Sequence, residues 1–597
     1  MNQIRFSRWT PFLGSLAVAA LFIAIRIFYR LVFGQFSIDA IVQAIMAALP
    51  FAGIIVLCGL LSSLVDVRRF VLVSSRLRFG RSLATALALG LATVPALAVS
   101  VARLRQAARL RGVRHQSALL VPLLEHSLER SVALAAALEL AGDGTSDFSA
   151  DAGRIVCDGI TVSYDDTVVL RDLTLALEPG TITVLTGPTG SGKSTVLDLI
   201  SGLAQHVNSA SVTGSVFVGG LDRAMTLPRE TGTLIGVVGQ NPRLGFVGAT
   251  VREELEWGSR LRGASTTEAR ATSVAVATRY GLTELVAQPV HTLSAGQATR
   301  VAIAAALARE PRILLLDEPF AELDETATTE LVAVLSDISR AGVTVVVAEH
   351  HTRALESLHP RWLAVERGTV TEGRWPREAH HSTYRQLAVM GDDEVLHLED
   401  VSMSYRGLAV QVTLGLTARV GDVISVQGAN GAGKSSLILA LAGTNPADAA
   451  LVPEEVSDFF VRTTLREELA YADKVARVEP GLTELTFRSI LGSREAASVD
   501  ALLETHPRDL SAGTQRALAI ALQLSHKPRL VLIDEPTRGL DPHARQDMAE
   551  VLRCVAETGT VVMFATHDVV WSTELTSRTI TLAEGTVVAP TKVGETR

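Results

Sequence analysis

The sequence predicts an α-helical membrane segment followed by two α/β domains built on parallel sheets. Three observations carry this reading. Short continuous apolar runs ending in glycine or acidic residues recur through 154–590, as strands covered on both faces require. The residues that punctuate these runs repeat at constant offsets, so one domain has been duplicated. Ahead of both copies lies a stretch, residues 40–65, with no charged residue at all.

The chain of 597 residues is too long for one core. Its hydrophobic fraction of 48% and mean hydropathy of +0.29 are high for a cytosolic protein, and the excess is concentrated at the N-terminus. A net charge of −8 gives no global basic field, so a nucleic-acid partner is not expected. Cys58, Cys157 and Cys554 are scattered without metal-ligand spacing, which excludes a disulfide framework and a zinc site. Lysine occurs only at Lys193, Lys434, Lys474, Lys527 and Lys592, while the other cations are arginine. A lysine retained here is a candidate for a role that arginine cannot fill.

Residues 11–33, 40–65 and 82–102 are each long and apolar enough to cross a hydrocarbon core of about 30 Å. Arg5 and Arg8 before the first segment, and Arg68, Arg69, Arg76, Arg78 and Arg81 after the second, put the N-terminus inside. The arginines from Arg103 to Arg114 also belong inside. The expectation is therefore two full spans, with 82–102, broken by Pro95, re-entrant or strongly tilted; three spans with the N-terminus outside is the alternative. Residues 103–142 read as amphipathic helices at the membrane surface. The expected boundaries are a membrane and coupling segment 1–142, a linker 143–153, a first domain 154–376, a linker 377–394, a second domain 395–590 and a tail 591–597.

Each copy opens with an apolar strand and a glycine-rich loop, GPTGSGKST and GANGAGKSS. Gly187, Gly190 and Gly192, and Gly428, Gly431 and Gly433, let successive N–H groups converge on phosphate oxygens, and the following helix adds its positive end. Lys193 and Lys434 would hold the β- and γ-phosphates; Ser194 and Ser435, followed by Thr195 and Ser436, would ligate Mg2+. Downstream, ILLLDEP and LVLIDEP are buried-strand patterns ending in paired carboxylates. Asp317 and Asp534 are candidates for the Mg2+ shell, Glu318 and Glu535 for orienting or deprotonating a water.

The sequence LSAGQ, with Ser294, Gly296 and Gln297, and LSAGT, with Ser511 and Gly513, each lie 23 residues before the aspartate. With this addition both copies resemble the ABC class of P-loop NTPase, over essentially 154–590. The resemblance implies that these residues clamp the γ-phosphate bound by the opposite domain. It further implies that Tyr164 and Tyr405 stack on adenine, that Asp324 and Asp541 lie in the D-loops, and that His350 and His567 are the switch histidines. Gln240 falls in the Q-loop position, reaching Mg2+ and the attacking water. Aligning VREEL (251–255) with LREEL (465–469) puts Glu454 opposite it. Lys193 to Gln240 spans 47 residues but Lys434 to Glu454 only 20, so the second copy has lost most of its antiparallel β-subdomain. A carboxylate near the γ-phosphate makes the second ATP site the weaker one.

The run from Val94-Pro95 through Leu110-Arg111-Gly112, Leu120 to Leu124, and Glu139 to Gly142 resembles the coupling-helix region of the T component of energy-coupling-factor (ECF) transporters. In that family two Ala-Arg-Gly motifs end the helices that dock on the ATPases. Here the first motif keeps its arginine, Arg111, whereas the second reads Leu140-Ala141-Gly142. The resemblance implies an ATP-hydrolysing coupling module in the cell membrane. Its expected partners are lipid, a separate substrate-binding S component and a further T component, and its cargo is a vitamin or a transition-metal ion. The competing readings are an exporter ATPase with a separate permease, a non-transport tandem ATPase, and a regulatory ATP-binding protein with little turnover.

Overall fold

The computed structural model describes residues 99–592 with short interruptions, of which 376–393 is the longest, and only isolated positions before residue 99. The chain separates into two compact units, Met1–Ala96 and Leu97–Arg597, and every element below belongs to the second. The segments 11–33 and 40–65 and most of 82–102 lie outside the described residues. Among the described residues no helix is long and apolar enough to cross a membrane.

The first copy is a two-sheet domain. Strands β1 (Ile155–Tyr164), β2 (Thr167–Leu177), β4 (Ser211–Val218) and β5 (Leu221–Asp222) form an antiparallel sheet, in the order β2-β1-β4-β5. The second sheet runs β10-β9-β3-β8-β7-β6, built from β3 (Ile182–Thr186), β6 (Ile235–Val238), β7 (Ile313–Asp317), β8 (Thr344–Ala348), β9 (Arg361–Glu366) and β10 (Thr369–Glu372). Every residue of β3 and β8 is buried, as their unbroken apolar sequence demands of central strands packed on both faces.

The second copy repeats this core in the same spatial order. Its sheet is β16-β17-β18-β15-β19-β20, from β15 (Val423–Gln427), β16 (Ala449–Val452), β17 (Leu530–Asp534), β18 (Val561–Ala565), β19 (Arg578–Ala583) and β20 (Thr586–Lys592). Among the described residues its antiparallel part consists of two ladders, β11 (Glu394–Leu398) with β14 (Leu416–Arg419) and β12 (Val401–Tyr405) with β13 (Leu408–Val412). The register of the parallel strands explains where function collects. Asp317 pairs with Ala348 and Leu316 with Val238 in one copy, Asp534 with Ala565 and Ile533 with Val452 in the other. The segments leaving β3, β6, β7 and β8 therefore share one carboxyl edge, where ligands bind in open parallel sheets.

Ahead of these domains, residues 99–110 are helical (α1), and α2 spans Leu120–Leu140. Helix α1 adds Ala107, and partly Leu110, to a core cluster of the second domain. Helix α2 bridges both domains. His126 Nε2 lies 2.7 Å from Asp458 Oδ1, and Glu125 pairs with His506 and Arg508, on the second domain. Further along, Glu139 faces Arg229, and the Leu140 carbonyl accepts from Arg309 Nη1 at 2.8 Å, on the first. Leu120, Leu124, Leu128 and Val132, spaced one helical turn apart, form an exposed stripe on α2.

Candidate active site

Both glycine-rich loops adopt the same backbone. The φ values of Gly187, Gly190 and Gly192 are 153°, 77° and 105°; those of Gly428, Gly431 and Gly433 are 155°, 79° and 103°. A Cβ on Gly187 would run into the Val365 carbonyl oxygen, and one on Gly428 into that of Leu582, so neither position admits a side chain. Each loop opens a helix, α3 (Lys193–Ser201) in the first copy and α6 (Lys434–Thr444) in the second, which presents its N-terminal N–H groups to the loop. We number α4 as Val251–Leu261 and α5 as Ala295–Leu307 between them.

The two lysines fold back onto their own loops. Lys193 Nζ donates to the carbonyls of Gly187 and Pro188, each at 2.9 Å; Lys434 Nζ donates to Gly428 at 2.8 Å and Ala429 at 3.3 Å. Burial lowers the Lys193 ammonium from its ordinary range, while Glu318, Asp317 and Asp541 oppose that shift.

Asp317 accepts a hydrogen bond from Ser194, and Asp534 one from Ser435. Burial, aided by the neighbouring Glu318 or Glu535, pushes each aspartate up to about 6. Asp534 Oδ1 is also buried without a hydrogen-bond partner. Each buried carboxylate has a hydroxyl beside it, and that donor set, all oxygen, suits Mg2+.

The next residue in each strand turns into the left-handed region, with φ +48° at Glu318 and +51° at Glu535, held there by N–H bonds to Ala348 and Ala565. For a non-glycine residue this conformation costs about 1–3 kcal/mol. It aims the glutamates at the histidines. His350 Nε2 lies 3.0 Å from Glu318 Oε1, and His567 Nδ1 lies 2.9 Å from Glu535 Oε2. Gln240 Nε2 donates to Glu318 Oε2 at 3.0 Å. Burial opposes ionisation of Glu318, yet His350, Lys193 and Gln240 hold it below the usual carboxylate range. Donation to the Glu535 carboxylate raises His567.

Tyr164 closes β1 and bonds to Thr195 beside the first loop. Ser436 sits in the first turn of α6. Ser294 caps α5, its Oγ accepting from Gln297 N while Gln297 Oε1 accepts from Ser294 N. Ser511 caps α8, defined as Ala512–Leu524 with α7 (Leu465–Ala476) before it, and Gly513 lies against Ala544. Both serines are exposed. Asp324 and the side chain of Tyr405 lie outside the described residues.

The halves nevertheless face each other across the site. Thr189 N, in the first glycine-rich loop, donates to Asp541 Oδ2 at 2.9 Å, and Trp375 packs edge-on against His543. Arg243 Nη2 donates to the Leu293 carbonyl at 2.7 Å, next to Ser294, and its charge faces Glu454 and Glu455 of the second domain. Sequence reasoning missed Arg243. Its signal was the third position after Gln240, legible only once the two copies are set face to face.

Glu454 stands where the first copy has Gln240, among Asp534 and Glu535. Burial and these carboxylates push it up to about 7, while Arg538 Nη1, 2.6 Å away, favours its ionised form. The second site thus carries one acidic group more than the first. Arg538, and Arg516 beneath it, offset that charge.

The family model for "ABC transporter" matches residues 170–321 and 412–538, one match in each copy. A putative ABC transporter ATP-binding protein of Streptomyces avermitilis is 32% identical over 524 residues, covering 72% of this chain and 92% of that protein. One from Streptomyces coelicolor is 30% identical over 531 residues, with the same coverage. Among solved structures, a chain of the model of ribosome-bound archaeal Pelota and ABCE1 superposes with a TM-score of 0.53 at 19% identity, covering 73% of this chain and 79% of its own. That likeness shows a shared tandem fold. The duplicated phosphate loops, carboxylates and signature serines, together with relatives matched over nine-tenths of their length, establish that the chain belongs to the ABC transporter family as an ATP-binding, ATP-hydrolysing protein with two ATPase domains.

Proposed function

We propose that this chain is the coupling module of an ECF-type importer, driving uptake of a vitamin or transition-metal ion through a separate substrate-binding membrane subunit. The observation that carries the reading is that one segment, 99–142, is seated on both ATPase domains. Helix α1 docks through Arg111 on the second domain, and the end of α2 docks on the first. A segment held at both ends converts a change in domain separation into motion of its own axis. The exposed Leu120, Leu124, Leu128 and Val132 stripe supports placing its outer face toward lipid or a membrane subunit. The uncharged run 40–65 supports a multi-pass protein of the cytoplasmic membrane with its ATPases inside.

In this reading ATP at the first site is held by Lys193 and Ser194 and capped by Ser511 and Gly513; Lys434, Ser435, Ser294 and Gly296 serve the second. Ser194, Gln240 and Asp317, and Ser435 and Asp534, would hold Mg2+, whose positive charge would offset that developing on the phosphates. Glu318 and His350 orient the attacking water and keep its proton within reach. ATP binding draws the signature serines inward, and hydrolysis releases them.

Affinity purification of the full chain from native membranes tests the proposal. A small co-purifying membrane protein that stimulates ATPase turnover is the expected result. A chain found wholly in the soluble fraction, with turnover indifferent to membranes, would sink it.

The extra carboxylate makes the second site the weaker binder. In a Glu318→Gln background, Glu454→Gln is expected to tighten nucleotide binding at the second site by about tenfold, the effect of removing one nearby charge at partial screening. Calorimetric titration reads this as convergence of two unequal affinities. Unchanged affinities would show that Arg538 already neutralises Glu454.

A further inference from the structure

The edge strands β6 and β16 deliver different side chains to equivalent places. Gln240 stands two residues after β6, and Glu454 stands two residues after β16. Gln240 spends its amide on Glu318, Nε2 donating to Oε2 at 3.0 Å. Glu454, paired with a guanidinium, is an acceptor only and cannot give Glu535 the equivalent bond. Among the described residues, the hydrogen bonds to the Glu535 side chain come from His567, through its backbone N at 3.4 Å and its Nδ1 at 2.9 Å.

Glu454 turns instead to a cation at a position where the first copy has none. Its Oε1 accepts from Arg538 Nη1 at 2.6 Å. Asp317 and Asp534 are 217 positions apart, and at that offset Arg538 corresponds to Ala321. Arg516, on α8, is 6% exposed and donates to the Arg538 carbonyl, which fixes the backbone that carries the pairing guanidinium. Its charge also faces Glu455, Glu454 and Glu535. At the same offset its counterpart is Thr299, whose hydroxyl only bonds back to the Ala295 carbonyl of its own helix. Gln240, Ala321 and Thr299 of the first copy thus stand against Glu454, Arg538 and Arg516 of the second, three differences that meet at one point. Arg243 of the first domain directs positive charge at Glu454 as well, but its hydrogen bond goes to the Leu293 carbonyl.

We propose that Arg538 is a positioning residue that disarms the second ATP site: by holding Glu454 it keeps this position from serving Glu535, so the site binds nucleotide but hydrolyses it slowly. The inference deepens, and rests on, the role given to Glu318 and Glu535 in orienting the attacking water; it needs nothing from the importer reading. In the first site the carboxylate is held from two sides, with His350 Nε2 at 3.0 Å and Gln240 at 3.0 Å. In the second it is held from one. A displacement of about 1 Å in a reacting group is enough to cost most of its effect, so the missing contact falls on turnover. Binding is spared, because Arg538 compensates the charge that Glu454 would otherwise add beside Asp534 and Glu535.

Phosphate release by the full-length chain in a Glu318→Gln background reads the second site. There the double variant Glu454→Gln with Arg538→Ala recreates the first-copy pair, Gln240 and Ala321. It is expected to raise turnover at saturating ATP by about tenfold or more, the effect of one added hydrogen bond to a charged group. A loosened fold could not speed hydrolysis. Glu454→Gln alone should give only a small part of that gain, because Arg538 still binds the amide oxygen at this position. Adding Glu535→Gln to the double variant should abolish the gain. If the double variant is no faster at saturating ATP, if Glu454→Gln alone matches it, or if the gain survives Glu535→Gln, the inference is wrong. Should Glu318→Gln by itself hydrolyse at the wild-type rate, the role of the two glutamates fails instead, a result visible before Arg538 is touched.

Discussion

Glu318→Gln is expected to cut ATP hydrolysis by about 10²–10⁴-fold, the usual contribution of a positioned general base, while leaving nucleotide binding intact. The geometry makes the prediction specific. Glu318 sits in a left-handed backbone conformation just past the end of β7, with His350 Nε2 3.0 Å away on one side and a hydrogen bond from Gln240 on the other. Glutamine fills the same volume and keeps the Gln240 contact through its amide oxygen, but it cannot accept a proton. Lys193→Ala acts one step earlier and should abolish binding at the first site. Steady-state phosphate release and equilibrium nucleotide binding, measured on both variants, separate the two effects. Full hydrolysis by Glu318→Gln would remove this residue from its role. Glu535→Gln is the internal comparison. Its site carries Glu454 in place of glutamine, so the loss on top of wild-type turnover should be smaller.

The duplicated core was readable because its determinants are local. A glycine-rich loop after an apolar strand, and an acidic pair after the next, specify where each segment leaves the sheet, and the observed strand order repeats in both halves. The shortened antiparallel part was equally readable, from the gap of 20 residues between Lys434 and Glu454. The docking grooves were not. Arg111 and Glu468 are 357 positions apart, and a buried ion pair at that separation leaves no periodicity to find. The acidic pair in VREEL and LREEL was visible, but helix-capping carboxylates have that appearance too: Glu253 and Glu467 do lie in first turns whose caps are Thr250 and Thr464. The absence of an arginine before Gly142 reads as loss when the segment is considered alone. The structure adds what the segment alone does not show, a hydrogen bond from Arg309 to the Leu140 carbonyl at that end.

Arg111→Ala should detach α1 from the second domain, at a cost of about 3–5 kcal/mol, because it leaves the buried Glu468 carboxylate without its cation. Glu468 would keep the Val461 and Arg462 N–H bonds, and the Phe459 carbonyl would lose a donor. Since a multidomain chain does not unfold in one step, the cost is best read locally, as faster hydrogen exchange in 103–113 with the first domain unchanged. A double-mutant cycle decides what the pair itself contributes. Arg111→Met with Glu468→Met should recover much of the loss, because two apolar side chains in a buried site replace an ion pair at little net cost. The ATPase domains should still bind nucleotide in Arg111→Ala, since no contact of Arg111 reaches either phosphate loop among the described residues. What the variant should lose is stimulation of turnover by membrane partners, because nucleotide-driven movement of the second domain no longer pulls on the segment. Retained stimulation with α1 demonstrably released would mean that α2 alone, bridging His126 to Leu140, carries the motion.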